Sequence, residues 1–170
     1  PESVHILVSM GHEVLIQRGA GNNAYYGDTE YADAGAMIVE TLGELYTADV
    51  VLKATSVSAG DTVYMHDRQV ILYPLKLCDM RKDAITEMMQ KKVTAVGFDI
   101  LKDGEGYYPV VRIMSEIAGN SAIMIASEYL NNSRGGKGIV LGGISGITPA
   151  EIVILGAGTL GEFAARTALG

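Results

Sequence analysis

Glu151-Ile152-Val153-Ile154-Leu155-Gly156-Ala157-Gly158-Thr159-Leu160-Gly161 is the stretch whose reading decides the fold. Residues 151–155 are almost wholly apolar and predict a buried strand, and residues 162–169 predict a helix. A glycine turn of the form G-x-G-x-x-G joins them. Alone, that pattern is weak, but between an apolar strand and a helix each glycine has a physical task. Gly156 permits the tight turn, Gly158 lets a pyrophosphate approach the backbone, and Gly161 lets helix and strand pack closely. The helix N-terminus then presents free N–H groups to the anion. This context favours dinucleotide binding; the plain alternative is a glycine-rich turn that binds nothing.

Upstream of the turn, short apolar runs alternate with stretches of helical spacing. Strands are expected at 13–17, 36–39, 49–54, 69–73 and 93–98. Helices are expected at 2–10, at 30–34 with Asp28 or Thr29 as its cap, at 40–46 and at 79–91. Residues 55–69 read as a loop or a weak helix. Strands that alternate with helices and are apolar on both faces indicate a parallel sheet covered on both sides. The longest helical candidate, 115–130, is rich in small residues (Ala118, Gly119, Ser121, Ala122 and Ala126), which permits close helix packing. Residues 139–141 suggest a short strand. The expected fold is thus α/β: a Rossmann-like parallel sheet with helices on both faces, plus the first βα unit of a second, truncated dinucleotide-binding domain. The expected divisions are an N-terminal α/β domain over 1–113, a linking helix and Gly-rich loop over 114–150, and the start of the second domain over 151–170.

The chain has 170 residues, 48% of them apolar and 19% charged, which places it among globular proteins. A net charge of −7 argues against binding a nucleic-acid backbone. No apolar run reaches the roughly 18 residues of a membrane helix. The single cysteine, Cys78, excludes an intramolecular disulfide and suits a reducing cytoplasm. The chain starts at Pro1, and only nine residues follow Gly161. A dinucleotide site also needs an acidic residue about 20 positions further on. The chain is therefore read as a fragment of a larger protein, cut at both ends. By itself it is expected to be inactive and not to bind NAD with micromolar affinity.

Other candidates are weaker. Gly135-Gly136-Lys137-Gly138 lacks the Ser or Thr that follows the lysine of a phosphate loop, so a turn with an exposed lysine is preferred. His5, His12 and His66 are not spaced as metal ligands, and no metal is expected. Cys78 has no histidine near it in sequence and reads as a buried, inert thiol. Tyr25-Tyr26 and Tyr107-Tyr108 fall in loops, where they could line a cleft or cap the sheet. The eight methionines read as core filler.

Several strings, in order, resemble alanine dehydrogenases and the related transhydrogenases. They are Gly11-His12-Glu13-Val14-Leu15-Ile16-Gln17 with Gly19-Ala20-Gly21, Ala48-Asp49-Val50-Val51-Leu52-Lys53, Met114-Ser115-Glu116-Ile117-Ala118-Gly119, and Gly135-Gly136-Lys137-Gly138 with Leu141-Gly142-Gly143-Ile144-Ser145-Gly146. The turn at 156–161 completes the series. The Met114–Gly119 string brings the likeness closer to the dehydrogenase branch. The resemblance implies a two-domain, NAD-dependent enzyme that oxidises L-alanine to pyruvate and ammonia. It implies a small amino- or keto-acid substrate, a homo-oligomer and a cytoplasmic setting. By matching motif, Ser115 should lie beside the cofactor, and Gly156, Gly158 and Gly161 should face its pyrophosphate.

The chain departs from the family where the chemistry lies. The family's carboxylate-binding arginine falls upstream of the segment matching Pro1. Its second lysine, two positions after Lys53, is Thr55 here. The histidine of its Leu-His-Leu string is Lys76 here, within Leu75-Lys76-Leu77. A general base works best with a pKa near the working pH. Histidine, at about 6.5, meets this, whereas an ordinary lysine lies near 10.4. Lys76 could serve if desolvation or a nearby cation lowered its pKa. Thr55 brings no positive charge, and Lys53, expected on the same strand face, could compensate in part. Lys76 and Lys53 are therefore the candidate catalytic residues. Three readings stay open: a dehydrogenase with altered substrate chemistry, a nucleotide-binding regulatory protein that has lost turnover, and a transhydrogenase-like role with a membrane partner.

Overall fold

The computed structural model describes residues 1–75 and 80–169. Lys76 and Cys78, two of the residues singled out above, lie outside them. The chain divides into two compact units, Pro1–Phe98 and Asp99–Gly170.

The first unit alternates short strands with short helices. Helix α1 (Glu2–Ser9) precedes β1 (Leu15–Gln17), α2 (Asp28–Asp33), β2 (Met37–Val39), α3 (Leu42–Leu45) and β3 (Val50–Leu52). Helix α4 (Ala59–Thr62), β4 (Val70–Tyr73), α5 (Lys82–Gln90) and β5 (Thr94–Gly97) complete it. All the strand pairings are parallel, as the helical crossovers require. Strand β1 pairs with β2, with Ile16 opposite Ile38. Strands β3, β4 and β5 form a separate sheet in that order, with Val51 opposite Ile71 and Ile71 opposite Ala95. All five expected strands of this unit are present, each shorter than its apolar run. Their core gathers Tyr46, Val51, Val57, Met65, Ile71, Tyr73 and Met88.

Local chemistry starts the helices. Thr41 caps α3: its hydroxyl accepts from Glu44 N at 3.2 Å, and the Glu44 carboxylate accepts from Thr41 N at 2.9 Å. Helix α2 corrects an expectation. Its N-cap is Gly27, whose N–H donates to Glu30 at 2.7 Å, and neither Asp28 nor Thr29 caps it. Asp28 instead accepts from Gly19 N at 2.7 Å and so ties the loop after β1.

The second unit contains α6 (Pro109–Leu130) and α7 (Thr159–Leu169). Helix α6 begins six residues before the expected 115. Pro109 starts it, because its fixed φ and missing N–H suit the first turn. The two helices touch through Gly119: a Cβ there would lie 2.5 Å from Leu160 O and 2.9 Å from Phe163 Cβ. Thr167 Oγ1 donates to Asn120 Oδ1 at 2.6 Å. The small residues expected to allow close packing do so at this point. Residues 151–155 and 139–141, both expected as strands, form none. A strand needs a hydrogen-bonded neighbour, and no described residue pairs with them. Leu155 is consequently 95% exposed. Among the described residues, no helix is long and apolar enough to cross a membrane.

Candidate functional site

The glycine turn has the shape its sequence demands. Gly156 sits at φ +115°, a conformation that side chains disfavour. A Cβ on Gly161 would run into the Gly156 carbonyl oxygen, so the helix can approach only because Gly161 has no side chain. Above Gly156 and Gly158 there is open space, with nothing within 4 Å of either Cβ position. Helix α7 starts at Thr159, and Glu162 N donates to Gly158 O at 3.0 Å. The donors of the first helical turn have no intrahelical partner. This turn, open above Gly156 and Gly158 and placed at a helix start, fits a dinucleotide pyrophosphate.

Ser115 belongs to the same unit. It lies in the second turn of α6, half-buried, one turn before Gly119 and on the same helix face. Gly119 meets Leu160 and Phe163 of α7, and Asn120 meets Thr167. The Gly135–Gly138 string does other work. A Cβ on Gly136 would strike the Tyr129 and Leu130 backbone, and Gly138 N donates to Leu130 O at 2.8 Å. The string closes the end of α6 and leaves Lys137 exposed.

Lys53 follows directly on β3, at the carboxyl end of the parallel sheet, where open α/β folds place their ligands. It does not share a strand face with Thr55 as expected, because β3 ends at Leu52 and residues 54–55 bend away. Thr55 is exposed. The Lys53 side chain is only 21% exposed, and its Nζ lies 2.6 Å from Asp61 Oδ1. Tyr46 donates its hydroxyl to the same oxygen at 3.0 Å. Asp61 Oδ2 accepts from Ser58 N at 2.7 Å and from Ser58 Oγ at 2.6 Å. Asp61 is 3% exposed. Burial opposes its ionised form, but the hydrogen bonds from Lys53 and Ser58 outweigh this and hold its pKa below the usual carboxylate value. Burial, with the adjacent Asp61 charge, raises the Tyr46 phenol well above its ordinary value. Sequence reasoning missed Asp61 and Tyr46. The Ser58-x-x-Asp61 spacing of a helix start was a usable signal for Asp61, whereas none pointed to Tyr46.

His5 and His12 are exposed, and His66 lies 3.1 and 3.3 Å from the Asp67 and Ala48 carbonyl oxygens. Among the described residues, no group of three His, Cys, Asp or Glu could hold a metal ion.

A parallel α/β unit followed by a glycine turn and helix defines a Rossmann-like architecture, and comparison with known proteins makes this specific. The model of the alanine dehydrogenase/PNT N-terminal domain matches residues 1–118, and that of the C-terminal domain matches 122–170. The chain belongs to the alanine dehydrogenase/PNT family. It is 36% identical to an alanine dehydrogenase of Bilophila wadsworthia over 171 residues, covering 100% of this chain and 45% of that protein. It is 34% identical to an alanine dehydrogenase of Mycobacterium tuberculosis, covering 100% of this chain and 46% of that one. Among solved structures, an L-alanine dehydrogenase matches with a TM-score of 0.90 at 30% identity, over 99% of this chain and 46% of that one. A transhydrogenase from Sinorhizobium meliloti matches at 0.81 and 25% identity, over 98% and 49% of the two chains. The chain spans about half the length of these relatives.

Proposed function

We propose that this chain works within a nicotinamide-dependent amino-acid dehydrogenase that interconverts L-alanine, or a related amino acid, with its keto acid and ammonia. The supporting observation is the cradle at 156–161: open space over Gly156 and Gly158, Gly161 closed onto the Gly156 carbonyl, and a helix start at Thr159. The relatives' names give the reaction class. We assign residues 1–113 to the substrate domain, 114–150 to the link, and 151–170 to the start of the cofactor domain.

In this reading Gly156, Gly158 and Gly161 admit the pyrophosphate, and Ser115 stands beside the cofactor. When bound, NAD supplies the hydride acceptor. Lys53 attracts the substrate carboxylate at the carboxyl end of β3, and Lys76 takes the place of the family's acid–base histidine. The protein is proposed to act as a homo-oligomer in the cytoplasm. The test is the product of the full reading frame, assayed with NADH, ammonium and a panel of keto acids. Ammonium-dependent NADH oxidation is expected; its absence across the panel would sink the dehydrogenase reading.

One observation favours a second reading, a family member that binds nucleotide without turnover. Lys53 is already paired with a buried carboxylate, and its neighbour Thr55 is neutral. Calorimetry on the full-length protein separates the two, because NADH binding without turnover supports only the second.

A further inference from the structure

The Lys53 ammonium is held by a carboxylate that is itself held from three sides. Asp61 Oδ1 accepts from Lys53 Nζ and Tyr46 OH, and Oδ2 accepts from the amide and hydroxyl of Ser58. The carboxylate is buried, so its orientation is set by packing as well as by hydrogen bonds. Tyr46, equally buried, belongs to the core beside Val51 of β3. A lysine with four free rotors would otherwise sweep a wide volume, and ordering it on substrate binding would cost affinity. Here that order is built in. An ammonium has three donors, and among the described residues Asp61 alone takes one from Lys53. No other described residue takes the remaining two N–H groups, at the carboxyl edge of the sheet.

Resting on the dehydrogenase reading above, we propose that Asp61 is a positioning residue: it fixes the orientation of the Lys53 ammonium so that its remaining donors receive the substrate carboxylate. Tyr46 and Ser58 serve this by fixing Asp61. The arrangement gives a chain with Thr55 in place of a second lysine one cation ordered in advance. Asp61 itself touches no substrate, because all its acceptor positions face protein donors.

The experiment uses the full-length protein loaded with NADH and titrated with pyruvate in the absence of ammonium. It reads carboxylate recognition whether or not the protein turns over. Asp61→Asn should weaken pyruvate binding about tenfold, the effect of loosening one charge-assisted contact. NADH affinity should stay within about twofold, since the glycine turn is untouched. In a Lys53→Met background, Asp61→Asn should add less than about twofold, because a positioning residue acts only through the group it positions. If Asp61→Asn does not fold, Tyr46→Phe removes one restraint on Asp61 without leaving a charge unpaired. It should weaken pyruvate binding about threefold. Unchanged pyruvate affinity in the folded variants overturns the proposal. So does an equal loss with and without Lys53, or a wild-type protein that binds no pyruvate. Pyruvate binding that depends on Asp61, in a protein that turns over no keto acid, supports this proposal and sinks the dehydrogenase reading alone.

Discussion

At the scale of single residues, two glycines three positions apart have opposite duties. Gly161 is required by the fold, because a Cβ there would overlap the Gly156 carbonyl oxygen. Gly158 faces open space, so the fold itself does not demand a glycine there. Gly161→Ala should therefore cost about 2–3 kcal/mol of stability, seen as a lowered urea midpoint of this chain. Gly158→Ala should leave that midpoint unchanged and instead raise the NADH dissociation constant of the full-length protein. Equal midpoints for the two variants would contradict this division. Asp61 gives a pH prediction. Its folded pKa lies below the unfolded value of about 3.9, so its stabilisation is present above that value and lost as pH falls through the folded pKa. The wild-type urea midpoint should drop more steeply between about pH 4 and 2 than that of Asp61→Asn. Parallel curves would show that Asp61 is not held ionised by its neighbours.

At the scale of elements, short helices depend on their ends. Helix α3 is four residues long, and its capping box of Thr41 and Glu44 satisfies donors that the helix cannot satisfy itself. Thr41→Ala should cost about 1 kcal/mol, measurable by chemical unfolding. Thr41→Ser should recover most of it. The pairing of α6 and α7 rests on a different device. Gly119 lets the two backbones meet, and Gly119→Val should force them apart at a cost of about 2–3 kcal/mol. Because α7 starts at the glycine turn proposed to hold the nucleotide, the same change should also weaken NADH binding in the full-length protein. An unperturbed unfolding curve would show that the helices can slide to accommodate the side chain. Pattern reading places α6 but misses its first six residues, since the Tyr107-Tyr108-Pro109 sequence looks like a loop until the proline is recognised as a helix start.

At the scale of the whole molecule, the proposed nucleotide site has here only the glycine turn at 156–161 and helix α7. Calorimetry of NAD with this chain alone should therefore show a dissociation constant weaker than micromolar, while tight binding would relocate the site. The sequence by itself determined the alternation of five strands with helices, the tight turn at Gly156 and the close approach at Gly161, and the family. These are local properties: the period of apolar side chains follows from backbone geometry, and a glycine's freedom follows from its missing Cβ. Only the tertiary structure decided that the strands divide into two sheets and that 151–155 finds no hydrogen-bonded partner among the described residues. It alone decided that Gly119 meets Leu160 and that Lys53 turns to Asp61 and Tyr46 rather than sharing a face with Thr55. Such pairings join residues whose separation in the chain has no fixed relation to their separation in space. They depend on which buried groups find donors and acceptors when the elements pack, and no single stretch of sequence contains that information.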